Sequence, residues 1–187
     1  MKRVNYVIAN WKMNGLRSHR KLYNSINKHL VSKKSNKPNV IICPPYTLIH
    51  TLALEKKSQV KLGAQDAHQH NSGAFTGCIS SEMIKDSGAE YVIIGHSERR
   101  QYFNESTKLI ADKIKTAHKL NLKVILCIGE LKSEIRNRKK VLRNQLKSLP
   151  LNPNHKNLII AYEPVWAIGT GLTPSLLEIN EIHSSIR

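Results

Sequence analysis

Three short stretches combine residue types that do acid–base chemistry on a small anion. In Tyr162-Glu163-Pro164-Val165-Trp166-Ala167-Ile168-Gly169-Thr170-Gly171, a carboxylate at the end of an apolar run precedes a loop with a large apolar centre and a Gly-Thr-Gly far side. Glu163 suits a general base there, Trp166 and Ile168 suit the exclusion of water, and the glycines suit bending or the offer of bare N–H groups to an anion. A loop whose Trp packs inward and whose Glu faces water would read the same, and the segment alone does not separate the two. In Gly95-His96-Ser97-Glu98-Arg99-Arg100, an imidazole follows a glycine, with Ser97 able to start a helical turn. A helix N-terminus disfavours positive charge on a nearby ring, which leaves His96 able to donate a hydrogen bond to a carbonyl. Glu98 and the two arginines read as a structural ion-pair cluster. In Asn10-Trp11-Lys12-Met13-Asn14-Gly15, an amide and an ammonium stand two residues apart, which predicts one side of an extended chain. Lys12 would neutralise a phosphate or oxyanion and Asn10 would orient the substrate. In so lysine-rich a chain, Lys12 by itself reads equally as a surface residue.

The elements that must position these groups are legible as apolar runs. Strands are expected over 5–9, 40–43, 60–64, 91–94, 124–128 and 158–162, rich in Val, Ile and Leu without polar alternation. That pattern belongs to strands buried on both faces, hence to a parallel sheet. Amphipathic stretches lie between and after them, near 18–33, 46–57, 80–88, 105–120, 131–148 and 175–187. In 105–120 the residues Leu109, Ile110, Lys113-Ile114 and Ala117 fall on one helical face. Pro44-Pro45 stops the second strand, Pro174-Ser175 starts the last helix, and 150–153 reads as a turn. Six β-α units in a row suit a (βα)8 barrel or an open doubly wound sheet. Asn10 and Lys12, Gln65 and Asp66, His96, Glu130 and Glu163 all follow the carboxyl ends of successive strands. A barrel gathers those ends into one ring of loops, whereas an open sheet spreads them in a row, and no GxGxxG follows the first strand. The α/β barrel is the expected fold.

The chain has 187 residues, 40% of them hydrophobic, which suits one domain with a sizeable core. Its net charge of +17 raises the question of nucleic acid, but the aromatic content is only 5% and no binding motif accompanies the spread-out lysines. The clusters at Lys33-Lys34 and 136–140 are short. No apolar run reaches membrane-spanning length, and no signal-peptide cleavage pattern follows the N-terminal Lys-Arg pair. Cys43, Cys78 and Cys127 are odd in number and widely spaced, which argues against a disulfide framework or zinc site and for a reducing cytosol. Cys127 reads as a packed core thiol.

Together, N-W-K-M-N-G, G-A-Q-D, G-H-S-E-R-R, C-I-G-E and A-Y-E-P-V-W-A-I-G-T-G resemble the triosephosphate isomerase family, in family order and at family spacing over the whole chain. The resemblance implies a (βα)8 TIM barrel that interconverts dihydroxyacetone phosphate and D-glyceraldehyde 3-phosphate through an enediolate. It implies Glu163 as the base, His96 as the electrophile that polarises the carbonyl, and Lys12 and Asn10 as further catalytic groups. Asn10, Trp11, Lys12 and Gly169 would bind the substrate, the last through its backbone N–H. The residues Pro164, Val165, Trp166, Ala167, Ile168, Gly169, Thr170 and Gly171 would form the lid. No metal and no organic cofactor is implied. The loop 65–79 resembles the family's dimer arm, so that Phe75, Thr76 and Gly77 at its tip would enter a second copy in a cytoplasmic homodimer. A mobile Gly-rich surface loop is the other reading of that segment.

A barrel of this kind typically takes roughly 250 residues. Residues 1–187 are therefore expected to form one partial domain of about six βα units, lacking the last two, with the edges of the first and sixth strands unpaired. An inactive truncated remnant, a basic nucleic-acid-binding protein and a different phosphate-binding barrel enzyme are the alternatives. At the far side of the lid, Leu172-Thr173-Pro174 stands where the family usually has a lysine and small residues.

Overall fold

The computed structural model describes residues 4–33, 37–55, 58–150 and 157–187. The expected turn over 150–153, the cluster Lys33-Lys34 and the end of the expected helix over 46–57 lie partly outside the described residues. Six strands follow the chain: β1 Tyr6–Asn10, β2 Asn39–Cys43, β3 Lys61–Ala64, β4 Tyr91–Ile94, β5 Lys123–Ile128 and β6 Leu158–Tyr162. They form one parallel sheet in the order β1-β2-β3-β4-β5-β6. A doubly wound sheet reverses direction at a switch point, and this order never reverses. The result is a half-barrel in which each strand pairs with its neighbour in sequence, as in Ile8↔Ile41, Val92↔Val124 and Ile125↔Ile159.

The alternation of side chains along each strand makes two cores. Val40, Ile42, Val92, Ile94, Val124, Leu126 and Ile128 pack with helix residues such as Ile49, Ile84, Ile110, Ile114 and Leu142. Ile41, Cys43, Tyr91, Ile93, Ile125 and Cys127 form a second cluster, and every residue in it comes from a strand. A sheet with all its helices on one side buries its other face by curling on itself. Both faces are thus apolar, and the strand sequences are apolar without a break. Within the described residues β1 and β6 pair on one side only, and Tyr6 and Val7 are exposed.

The helices are α1 Arg20–Ser32, α2 Tyr46–Ala53, α3 Ser81–Asp86, α4 Ser97–Tyr102, α5 Thr107–Lys119, α6 Arg138–Lys147 and α7 Leu176–Ile186. Ser80, Ser106 and Ser175 cap α3, α5 and α7 by accepting the N–H of Met83, Leu109 and Glu178. The expected helix over 131–148 is broken: Lys132–Asn137 is a 3₁₀ segment and the α-helix starts at Arg138. The six-residue α4 had no apolar periodicity to announce it.

On α5 the apolar stripe carries Lys113, which is only 3% exposed. Its ammonium lies 2.7 Å from Asp66 Oδ1 and also pairs with Glu105, while Arg99 bonds the same two carboxylates at 2.9 and 2.6 Å. Burial pushes the Asp66 carboxyl up, against the opposing pull of Lys113. Of the expected cluster of Glu98, Arg99 and Arg100, Arg99 joins this buried network, whereas Arg100 donates to the Gly95 and Cys127 carbonyls and Glu98 pairs with Lys12.

Candidate active site

His96 follows β4 and caps α4. Its Nδ1 accepts the Glu98 N–H at 3.2 Å, which selects the tautomer with the proton on Nε2. That Nε2 lies 3.2 Å from Glu163 Oε2, so the ring edge faces the carboxylate. The other oxygen, Oε1, accepts the Ser97 N–H at 2.8 Å. Glu163 leaves β6 with its side chain 17% exposed. Burial raises the carboxyl above its ordinary value, while His96, the Ser97 N–H, the Cys127 thiol and Arg100 pull it back in that order. A carboxylate so placed holds a proton more readily than a solvated one, which is what an exchange with a carbon acid needs.

Lys12 joins the same network from β1. Its Nζ lies 2.6 Å from Glu98 Oε1, and Glu98 is the residue whose N–H orients His96. Glu98 therefore touches both groups, a closer role than membership of the arginine cluster. The expected extended backbone from Asn10 to Lys12 is not found. Lys12 has φ 53°, left-handed, and its N–H donates to Asn10 Oδ1 at 2.9 Å. The Gln65 amide holds this turn by donating to Lys12 O and to Cys43 O, both at 2.9 Å. Left-handed backbone at a side-chain-bearing residue is strained and persists where surrounding bonds over-determine it. Trp11 packs against the helix-side core. Glu98 thus joins Lys12 to His96, His96 meets Glu163 directly, and Asn10 is joined through Lys12.

The segment from Pro164 to Gly171 starts as a 3₁₀ turn, Val165–Ala167. Its near end is tied to β5, since Val165 N–H donates to Glu130 O at 3.0 Å. Trp166 Nε1 donates to Glu130 Oε1 at 3.0 Å, and the Tyr162 hydroxyl donates to the same oxygen. Glu130 is fully buried. Ile168 and Ala167 close the turn onto Val165 and Pro164, and Thr170 Oγ1 donates to Trp166 O and Ala167 O. Gly169 and Gly171 have φ of 71° and 76° with nothing near their Cα hydrogens, so that backbone conformation alone selects glycine there. Alongside Val165 and Trp166 lies a cavity of about 730 Å³, lined also by Ser97, Arg100, Gly129 and Gln145 among others.

In the loop 65–79, the Phe75 ring packs against both His68 and His70, 4.3 and 5.1 Å between centroids, and Thr76 and Gly77 are exposed. Cys43 and Cys127 are buried and Cys78 is exposed. Burial pushes the Cys43 thiol up to about 12 and Cys127 well above its ordinary range. Among the described residues no cluster of three or more His, Cys, Asp or Glu could hold a metal ion, and no helix is long and apolar enough to cross a membrane.

The sequence reading missed the Ser97 N–H as a partner of Glu163, Glu130 as the acceptor for Trp166, and Gln65 as the brace under Lys12. Gln65 and Glu130 had shown one signal, their place just past a strand's carboxyl end.

Residues 5–187 match the family model described as triosephosphate isomerase. The chain is 45% identical over 196 residues to triosephosphate isomerase of Zygosaccharomyces bailii, covering 100% of this chain and 76% of that protein. Against the enzyme of Rhizobium meliloti (strain 1021) the identity is 42% over 185 residues, covering 97% of this chain and 72% of the other. The crystal structure of triosephosphate isomerase from Bartonella henselae superposes with a TM-score of 0.86 at 34% identity, over 97% of this chain and 73% of that one.

Proposed function

The chain belongs to the triosephosphate isomerase family and is an isomerase of triose phosphates, and we propose that Glu163, His96, Lys12 and Asn10 carry its reaction. The observation that carries this reading is the pairing of Glu163 Oε2 with His96 Nε2 at 3.2 Å, on a ring whose Nδ1 is already committed to the Glu98 N–H. A substrate entering between the two groups would set its carbon acid beside Glu163 and its carbonyl oxygen beside His96. Glu163 takes the proton from the carbon next to the carbonyl. The C–H electron pair becomes the enediolate double bond, and the carbonyl oxygen takes the negative charge. His96 donates its Nε2 proton toward that oxygen, and the Lys12 ammonium lowers the energy of the charge. His96 passes its Nε2 proton to that oxygen and takes up the hydroxyl proton of the adjacent oxygen, and Glu163 returns its proton to the neighbouring carbon, so that the first carbon becomes the new carbonyl. A neutral histidine as electrophile beside a glutamate base is an arrangement for which this family is the standard worked example.

The remaining roles rest on the same reading. Trp11 shapes the turn that presents Lys12, and Asn10 and Gly169 hold the substrate, with the Gly169 N–H on the phosphate. Residues 164–171 close over the intermediate and keep water from it, because an exposed enediolate phosphate eliminates phosphate. Phe75, Thr76 and Gly77 enter a second copy of the chain, giving a homodimer. The place of work is the cytoplasm, which suits three cysteines with no pairing pattern. Residues 1–187 behave as one domain.

Glu163→Asp tests the assignment, because it draws the carboxylate back by one methylene. Turnover of dihydroxyacetone phosphate should fall by roughly 10²-fold or more, with KM little changed. Unaltered turnover would remove Glu163 as the base.

A further inference from the structure

Alternate residues of β5 face its two neighbours. Lys123 N–H donates to Glu90 O on the β4 side, and Val124 N–H donates to Asn157 O on the β6 side. By that alternation Cys127 and Gly129 face the β4 side, beyond Ile94, where β4 has ended. Two side chains stand in for the missing strand. Arg100 Nη2 donates to Cys127 O at 3.2 Å. Gln145, from the last turn and a half of α6, clamps the Gly129 peptide groups: its Oε1 accepts the Gly129 N–H at 3.1 Å and its Nε2 donates to Gly129 O at 2.8 Å.

Gly129 in turn lies flat on the main chain of Glu163. A Cβ built on Gly129 would stand 1.8 Å from the Glu163 carbonyl oxygen and 2.8 Å from its carbon. On either side of this contact, Glu163 N–H donates to Ile128 O at 2.8 Å and Val165 N–H to Glu130 O at 3.0 Å. The place of the Glu163 Cα is therefore set by residues 128–130, and the outer side of that segment is held by one carboxamide.

We propose that Gln145 is a positioning residue for the isomerisation: by clamping Gly129 it holds the main chain of Glu163 at the depth from which the carboxylate reaches the substrate. This rests on the reading of Glu163 as the base. Gln145 does not touch the carboxylate, and it acts through the Gly129 backbone.

Gln145→Met keeps the volume and removes both bonds, and Gln145→Glu keeps the acceptor for the Gly129 N–H but loses the donor. Each should lower kcat for dihydroxyacetone phosphate by roughly 10- to 100-fold with KM within about twofold, since a displacement approaching 1 Å at a reacting group costs about that much. Each should also move the Glu163 carboxyl, followed by carbon-13 NMR, down toward its ordinary range as water reaches it. A substitution of the exposed neighbour Asn144→Ala should do neither. If the variants lose only thermal stability and keep the parent kcat and the parent Glu163 titration, the proposal is overturned. Should Gln145→Met not fold, Gln145→Glu and the NMR titration decide alone. A parent-like Glu163→Asp would instead sink the assignment of the base, so the two failures are distinguishable.

Discussion

In the variant Gly129→Ala the new methyl carbon would be built 1.8 Å from the Glu163 carbonyl oxygen. Gly129 is not among the positive-φ glycines, so its backbone conformation admits alanine and only the space forbids it. Ordinary contact begins at 3.4 Å, and the two main chains must part by about 1.6 Å to reach it. No flexible side chain can yield at this point, because the obstacle is the main-chain carbonyl of Glu163. Parting stretches the Glu163 N–H···Ile128 O and Val165 N–H···Glu130 O bonds, now 2.8 and 3.0 Å, past useful length. Overpacking of about 1–3 kcal/mol and two lost bonds of about 1 kcal/mol each would lower the stability by roughly 3–5 kcal/mol. The carboxylate is carried away by the same movement, and roughly 10²-fold in kcat should go with it. The assay is steady-state turnover of dihydroxyacetone phosphate, run well below the variant's own melting temperature so that unfolding does not masquerade as lost chemistry. A folded Gly129→Ala with kcat within twofold of the parent would refute the argument that this contact places the base.

The acid limb of kcat/KM should have its midpoint above 4.5, because burial raises Glu163 and the base works ionised; a midpoint at or below that value would contradict the geometry. The same shift has a stability consequence: ionising Glu163 costs the folded state, so this group's contribution to stability falls as pH rises from 4.5 through the raised folded value, a slope that Glu163→Gln should remove. Lys113→Met leaves Asp66 and Glu105 buried with only Arg99 to balance them, and denaturant unfolding should show a loss of about 3–5 kcal/mol; a loss below 1 kcal/mol would show that Arg99 suffices. Trp166→Phe removes the bond to buried Glu130 and should speed amide exchange over 165–171 by roughly tenfold, and unchanged exchange would show that this bond does not hold the lid.

The sheet was legible because buried parallel strands must be apolar on both faces, so that 40–43 and 124–128 stand out against any background. Barrel closure was not written in the strands themselves. The expectation of a barrel came from Asn10, His96 and Glu163 all falling at or just past strand ends, and the described residues form its half. Lys113 was visible as a lysine in the apolar stripe of 105–120, but its partners Asp66 and Glu105 lie elsewhere in the chain. The left-handed turn at Lys12 depends on Gln65, more than fifty residues away, which local spacing does not reveal. Gln145 was the least legible of all: on a helix dominated by lysines and arginines, nothing local separates a clamp from a solvated amide.

The burial of two of the three thiols gives the folded chain a chemical asymmetry. Cys43, pushed up to about 12, and Cys127 stay protonated and shielded at neutral pH, whereas Cys78 at the base of the arm meets solvent. A maleimide dye should therefore couple once per native molecule and three times after denaturation. That single handle places a reporter within a few residues of Phe75 without any engineered cysteine.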